Sequence, residues 1–190
     1  MTAPAQGPAV DELGRRLVEA ALLEGDFLLR SGRRSRYYLD KYRFETDPAL
    51  LRTLGERLAA LAHEVEPDAV RLAGPALGAV ALAASAAMAS GLPFIIVRGE
   101  TKDYGTGNRI EGPFAPGDVV CLVEDVVTSG GALAEAVAAL REAGLVVRTA
   151  LCVVDREEGG TDALARLGVR LRSLYRAGDL LAVRDVADNR

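Results

Sequence analysis

The chain has 190 residues, a formal net charge of −4, and 49% hydrophobic and 26% charged residues. That is enough chain for one domain with a substantial core, and the charge gives no global pull toward nucleic acid or an anionic membrane. No apolar run reaches the roughly 18 residues of a spanning helix; residues 72–88 come closest and are interrupted by Gly74, Pro75 and Gly78.

Cys121 and Cys152 both fall inside apolar strand patterns, without metal-ligand spacing. They read as buried, inert thiols of a cytoplasmic protein without disulfides. Among 23 basic residues only Lys41 and Lys102 are lysines. In so arginine-rich a chain each lysine raises the question of what its compact, flexible charge does that a guanidinium cannot.

Residues 1–8 are small and polar without a basic start, and read as a frayed tail, not a signal peptide. Val10, Leu13, Leu17, Ala20 and Ala21 recur at helical spacing, which predicts an amphipathic helix over 10–24 ended near Gly25. Ser31-Gly32 then marks a turn between two extended pieces. Arg30, Arg33, Arg34 and Arg36 crowd this hairpin beside Tyr37 and Tyr38, a combination that suits a planar anion or a solvated basic surface equally.

Asp47-Pro48 has the form of a helix start, with Leu50, Leu51, Leu54, Leu58, Leu61 and Val65 as the buried stripe. His63, the only histidine, lies off that stripe, which argues against a Ser-His-Asp hydrolase. Residues 68–73 read as a strand, 74–78 as a tight glycine loop, and the Ala-rich stretch to Ser90 as a helix stopped by Gly91 and Pro93.

A short strand over 93–97 leads into a polar, glycine-rich segment, 98–112, of roughly 15 residues, a length that is functional or disordered when it lacks internal structure. Its glycine spacing is not that of a dinucleotide fingerprint, and neither lysine stands in a Walker motif. A hairpin carrying Arg98, Lys102 and Arg109 suits a lid that closes on an anionic leaving group.

The run from Val119 to Val123 is the pattern of a strand covered on both faces. It presents the adjacent carboxylates Glu124 and Asp125, then Val126 and Val127, then the small loop Thr128-Ser129-Gly130-Gly131-Ala132. A helical pattern follows, with Leu133, Val137 and Leu140 on one face and Gly144 placed to end it. Free N–H groups at a helix start hold phosphate, and glycines let the backbone approach it. Acids beside a phosphate site make sense against something neutral with hydroxyls, such as the ribose of a sugar phosphate. Beyond this helix, 146–154 is another buried strand ending in Asp155-Arg156-Glu157-Glu158. Residues 161–183 read as a short helix, a strand over 169–174 and a last helical turn, before a frayed tail. Buried strands alternating with helices predict an α/β fold with a mainly parallel sheet. Its informative loops all follow strands, where ligands bind.

Glu124 to Ala132 resembles the phosphoribosyl-pyrophosphate (PRPP) signature of the type I phosphoribosyltransferases. Three further stretches resemble the orotate members: the hairpin Ser31-Gly32-Arg33-Arg34-Ser35-Arg36-Tyr37-Tyr38-Leu39-Asp40, the lid from Arg98 to Gly112, and the strand end Asp155-Arg156. The resemblance spans residues 10–182. It implies one domain, with a hood at about 10–45 plus part of the C-terminus and a core at about 46–160.

It further implies transfer of the phosphoribosyl group of PRPP to orotate, with Lys102 catalytic. PRPP would be held by Arg98, Lys102, Tyr104 and the run Glu124, Asp125, Val126, Val127, Thr128, Ser129, Gly130, Gly131 and Ala132. Orotate would be held by Thr128 and Arg156, with Arg30 and Tyr38 contributing less. Mg²⁺ would ride on PRPP without direct protein ligands, and the protein would be a homodimer sharing its lid across subunits.

Two departures stand out. Gly99 replaces a lysine found in many members, a PRPP contact that Arg109 could supply. Gly78 stands where some members carry a lysine, so contacts from that loop must come mainly from backbone. A phosphoribosyltransferase for a purine or uracil, and a PRPP-sensing regulator without catalysis, are the alternatives. Turnover with each base separates the first, and a basic nucleic-acid surface would mark the second.

Overall fold

A computed structural model describes residues 10–28, 32, 34–99 and 108–188. Helix α1 (Glu12–Ala21) opens on Asp11, whose side chain accepts from Gly14 N at 3.0 Å. Leu13, Leu17, Val18 and Ala21 form its buried face. The helix stops earlier than its periodicity implies. Leu22 and Leu23 pair with Leu39 and Tyr38, so strand β1 (Leu22–Leu28) takes them over and Gly25 lies within the strand. Strand β2 (Arg34–Leu39) completes a two-stranded antiparallel ribbon, as the turn at Ser31-Gly32 requires.

The short helix α2 (Lys41–Glu45) follows directly. Asp47 then caps α3 (Pro48–Val65), accepting from Ala49 N at 2.9 Å and Leu50 N at 2.8 Å. Strand β3 (Arg71–Pro75) turns through 76–78, where the Ala76–Leu77 peptide is cis, into α4 (Ala79–Ser90), which Gly91 ends at φ +73°. Strands β4 (Phe94–Val97) and β5 (Ile110–Glu111) form the antiparallel base of the hairpin expected over 98–112. Then come β6 (Val119–Val127), α5 (Gly131–Glu142), β7 (Val146–Asp155), α6 (Gly160–Arg166), β8 (Arg170–Arg176) and α7 (Ala177–Asp188). The C-terminal stretch read as one turn and a frayed tail is a longer helix. Leu180 is buried against the core shared with α1, and Arg184 donates to Leu22 O at 3.0 Å and pairs with Glu24 at 2.6 Å.

The six-stranded sheet has the order β5-β4-β3-β6-β7-β8, parallel except for β5. Two apolar clusters cover its faces. One joins Cys121 and Val123 of β6 to α1, α3 and α4; the other joins Val120 and Leu122 to α5 and α6. From β3 the chain steps outward to β4 and then returns to β6 on β3's other side. That reversal opens a crevice beyond the carboxyl ends of β3 and β6, where open α/β sheets bind ligands. No helix among the described residues is long and apolar enough to cross a membrane.

Candidate active site

A cleft of about 750 Å³ lies beyond the carboxyl ends of β6 and β7. It is lined by Glu124, Val126 and Val127 of β6, the loop 128–130, the start of α5, Arg156 and Glu158 beyond β7, and Leu28 and Tyr38 of the ribbon. The sequence-derived residues Glu124, Val126, Val127, Thr128, Ser129, Gly130, Gly131, Ala132, Arg156 and Tyr38 are therefore together in one cavity. Tyr38 projects its ring beside Phe27, with centroids 5.4 Å apart. The Arg156 N–H donates to Val127 O at 2.9 Å, which ties the β7 strand end to β6, and its guanidinium meets Glu158 at 3.1 Å.

The β6–α5 loop has the geometry of an anion cradle. Gly130 adopts φ +80°, and a Cβ there would stand 3.2 Å from the Gly160 backbone, so glycine is required on both counts. Helix α5 begins without a side-chain cap. Its first N–H groups keep their hydrogen-bonding capacity for an anion, favoured by the helix dipole.

The two acids of β6 part company. Side chains alternate across a strand, and Val120 and Leu122 face α5 while Cys121 and Val123 face α3 and α4. Glu124 accordingly enters the cleft, one carboxylate oxygen receiving Asp125 N at 3.1 Å. Asp125 turns to the other side, toward α2. There its Oδ2 meets Lys41 Nζ at 2.6 Å, and its Oδ1 accepts from Val126 N. Glu45, one turn along α2 from Lys41, is also buried, and its Oε1 has no hydrogen-bond partner among the described residues.

The charges respond to this crowding. Burial first, then the charge of Asp125, pushes Glu124 and Glu45 from 4.5 up to about 8. Lys41 is moved above its ordinary value: burial opposes this, but the Asp125 hydrogen bond and the carboxylates of Asp125, Glu45 and Glu124 outweigh it. Cys121 is pushed up to about 12 and Cys152 well upward, mainly by burial, so both free thiols are inert.

Lys41 and Glu45 are the site-adjacent residues that motif reading missed. The scarcity of lysine was the available signal for Lys41; nothing in the sequence marked Glu45. Gly78 also gains a meaning: a Cβ there would collide with both the Lys41 ammonium and the Asp125 carboxylate. The loop's neighbourhood thus holds a cation supplied from α2, where contacts mainly from backbone were expected. Arg98 is not among the cleft-lining residues. It ends β4, two strands from β6, with its N–H donating to Arg109 O at 2.9 Å. Among the described residues nothing lies within 4 Å of a Cβ at Gly99, so crowding does not account for glycine there. Lys102, Tyr104 and Arg30 lie outside the described residues.

No protein-family model matches the chain. It is 50% identical over 157 residues to an orotate phosphoribosyltransferase of Methanocella arvoryzae, covering 83% of this chain and 88% of that one. The crystal structure of orotate phosphoribosyltransferase from Aeropyrum pernix superposes with a TM-score of 0.83 at 36% identity, over 91% of this chain and 98% of that one. The Mycobacterium tuberculosis orotate phosphoribosyltransferase in complex with PRPP gives 0.76 at 29%, over 91% and 99%. The architecture is thus that of the type I phosphoribosyltransferases. Within that class, the chain belongs to the orotate phosphoribosyltransferase family.

Proposed function

We infer that the chain transfers the 5-phosphoribosyl group of PRPP to orotate, giving orotidine 5′-phosphate and pyrophosphate in pyrimidine biosynthesis. It is a pentosyltransferase. Family membership carries this reading. The C1′–oxygen bond to diphosphate breaks, the electron pair leaves with the diphosphate, and the C1′–N1 bond to orotate forms.

The cleft suggests how the substrates lie. The 5′-phosphate sits on the α5 start within 128–132, Glu124 meets the ribose hydroxyls, and the Arg156 guanidinium takes the orotate carboxylate as a fork, with Thr128 and Tyr38 beside the base. Asp125 acts from behind the strand end. Arg98, Lys102 and Tyr104 close on the diphosphate, and Lys102 meets the charge that grows as it leaves.

Mg²⁺ enters with PRPP. The ion prefers hard oxygen donors, and the phosphate and ribose oxygens of PRPP would supply them. When bound it neutralises diphosphate charge. The lid serves the neighbouring subunit of a homodimer, in keeping with the distance in the sheet between Arg98 and this chain's own cleft. Residues 10–45 and the C-terminal helix form a hood over a core at about 46–160, and the Arg184 contacts to the ribbon support that grouping. The free, buried thiols support a cytoplasmic setting.

The test is loss of orotate absorbance with PRPP and Mg²⁺, set against uracil and purine bases. Turnover of orotate alone is expected; turnover of a neutral base instead would overturn the assignment of the acceptor.

A further inference from the structure

We propose that Lys41 is a positioning residue for the reaction, fixing the Asp125 carboxylate from behind the strand end, and that Gly78 is the seat its ammonium requires. The proposal rests on the PRPP reading of the cleft. Three observations carry it. The ion pair is short, 2.6 Å, and joins a carboxylate side chain only 3% exposed to a lysine 33% exposed, across 84 residues of sequence. Both Asp125 oxygens are engaged, Oδ2 by Lys41 and Oδ1 by the Val126 N–H. A Cβ at position 78 would press on the side-chain ends of both members, so at least one of them would have to shift.

Asp125 is pressed between two further acids, Glu124 on its own strand and Glu45 on α2, and the Asp40 charge also reaches Glu45. Lys41 is the cation that stands among them. Without it, Asp125 is a buried carboxylate beside two acids, a state that costs far more than the pair itself contributes. The strand end then relaxes by moving or taking up a proton. Glu124 moves with it, because it accepts from the Asp125 backbone N–H. A compact ammonium fits the space over Gly78; a broad planar guanidinium fits less well.

The test is steady-state kinetics and PRPP calorimetry on Lys41→Met, Lys41→Arg, Gly78→Ala and the double variant Lys41→Met/Glu45→Gln, with thermal melts to confirm folding. Lys41→Met is expected to raise KM for PRPP at least about tenfold and leave KM for orotate within about twofold. Lys41→Arg should recover part of the loss. The double variant should recover part of the loss at and above about pH 8, where Glu45 carries charge, and none well below it, where Glu45 is already neutral. Gly78→Ala should reproduce the PRPP defect with Lys41 intact.

A Lys41→Met enzyme with wild-type KM for PRPP, or one that loses both substrates equally, overturns the proposal. Should Lys41→Met fail to fold, Gly78→Ala decides: unchanged PRPP affinity in that variant overturns it as well. Wild-type protein that shows no Mg²⁺-dependent PRPP binding would defeat the reading of the cleft itself, an outcome separate from these.

Discussion

On the α5 side of β6, Glu124 opens into a cleft beside an uncapped helix start. One residue along, on the α2 side, Asp125 is sealed against Lys41 and Glu45. The same functional group on neighbouring residues thus meets two environments, because consecutive strand residues point to opposite faces. The open face has free donors and a glycine turn, suited to gripping a ligand. The closed face has paired charges and a buried proton load, suited to holding the strand end still. A motif read along the chain treats the two acids as one grip; across the sheet one lines the cleft and the other pairs with Lys41.

The largest effect should come from Lys102, the proposed lid cation. Lys102→Ala is expected to raise the barrier by roughly 3–4 kcal/mol, the scale of a lost oxyanion donor. Single-turnover kcat measures it, and a near-wild-type rate would remove the lysine from its role. Next is the open face. Gly130→Ala forces a side chain into φ +80° against the Gly160 backbone, at a cost of about 1–2 kcal/mol from the left-handed backbone alone. Urea midpoints should fall, and PRPP affinity should fall with them. If PRPP binds that variant as tightly as wild type, the phosphate does not rest on the α5 start and the contrast between the faces fails.

The acids of both faces, Glu124 on the open one and Glu45 on the closed one, are best probed by pH. Glu124 and Glu45 are raised from 4.5 to about 8 in the folded chain. Between those values they are protonated when folded and ionised when unfolded, so unfolding releases protons. Their contribution to stability is therefore intact below about pH 4.5 and is progressively lost as pH rises to 8. Coupling to Asp125 and Lys41 sets the size of this loss at the buried Glu45, which should reach at least about 1 kcal/mol. Glu45→Gln should flatten the slope of Tm against pH and raise Tm at pH 8; an unchanged slope would mean that Glu45 ionises freely. The smallest effect is the control. Asp47→Ala removes the two N-cap hydrogen bonds of α3, for about 1 kcal/mol of stability. Both KM values should stay unchanged, and a shift in either would show that the faces are coupled through α3.

Much of this molecule is legible along the chain because its signals are local. Buried strand runs, the Asp47-Pro48 helix start, the Gly91 stop and the acid-acid-loop-helix motif each depend on residues close in sequence, and the α/β class follows from their alternation. What went unread depends on distant partners. Helix α1 ends at Ala21 because Leu22 and Leu23 find strand partners in Leu39 and Tyr38. Helix α7 extends past one turn because Arg184 reaches the ribbon.

By itself, then, the sequence determined most of the elements and the glycine turn before α5, and it proposed the residues that would hold a pentose phosphate and a carboxylated base. Only the tertiary structure decided which acid faces the cleft, that Lys41 pairs with the other, and that Gly78 lies against that pair. The physical reason is that a short ion pair spanning 84 residues is set by how α2 packs over the sheet, and no local pattern encodes that meeting.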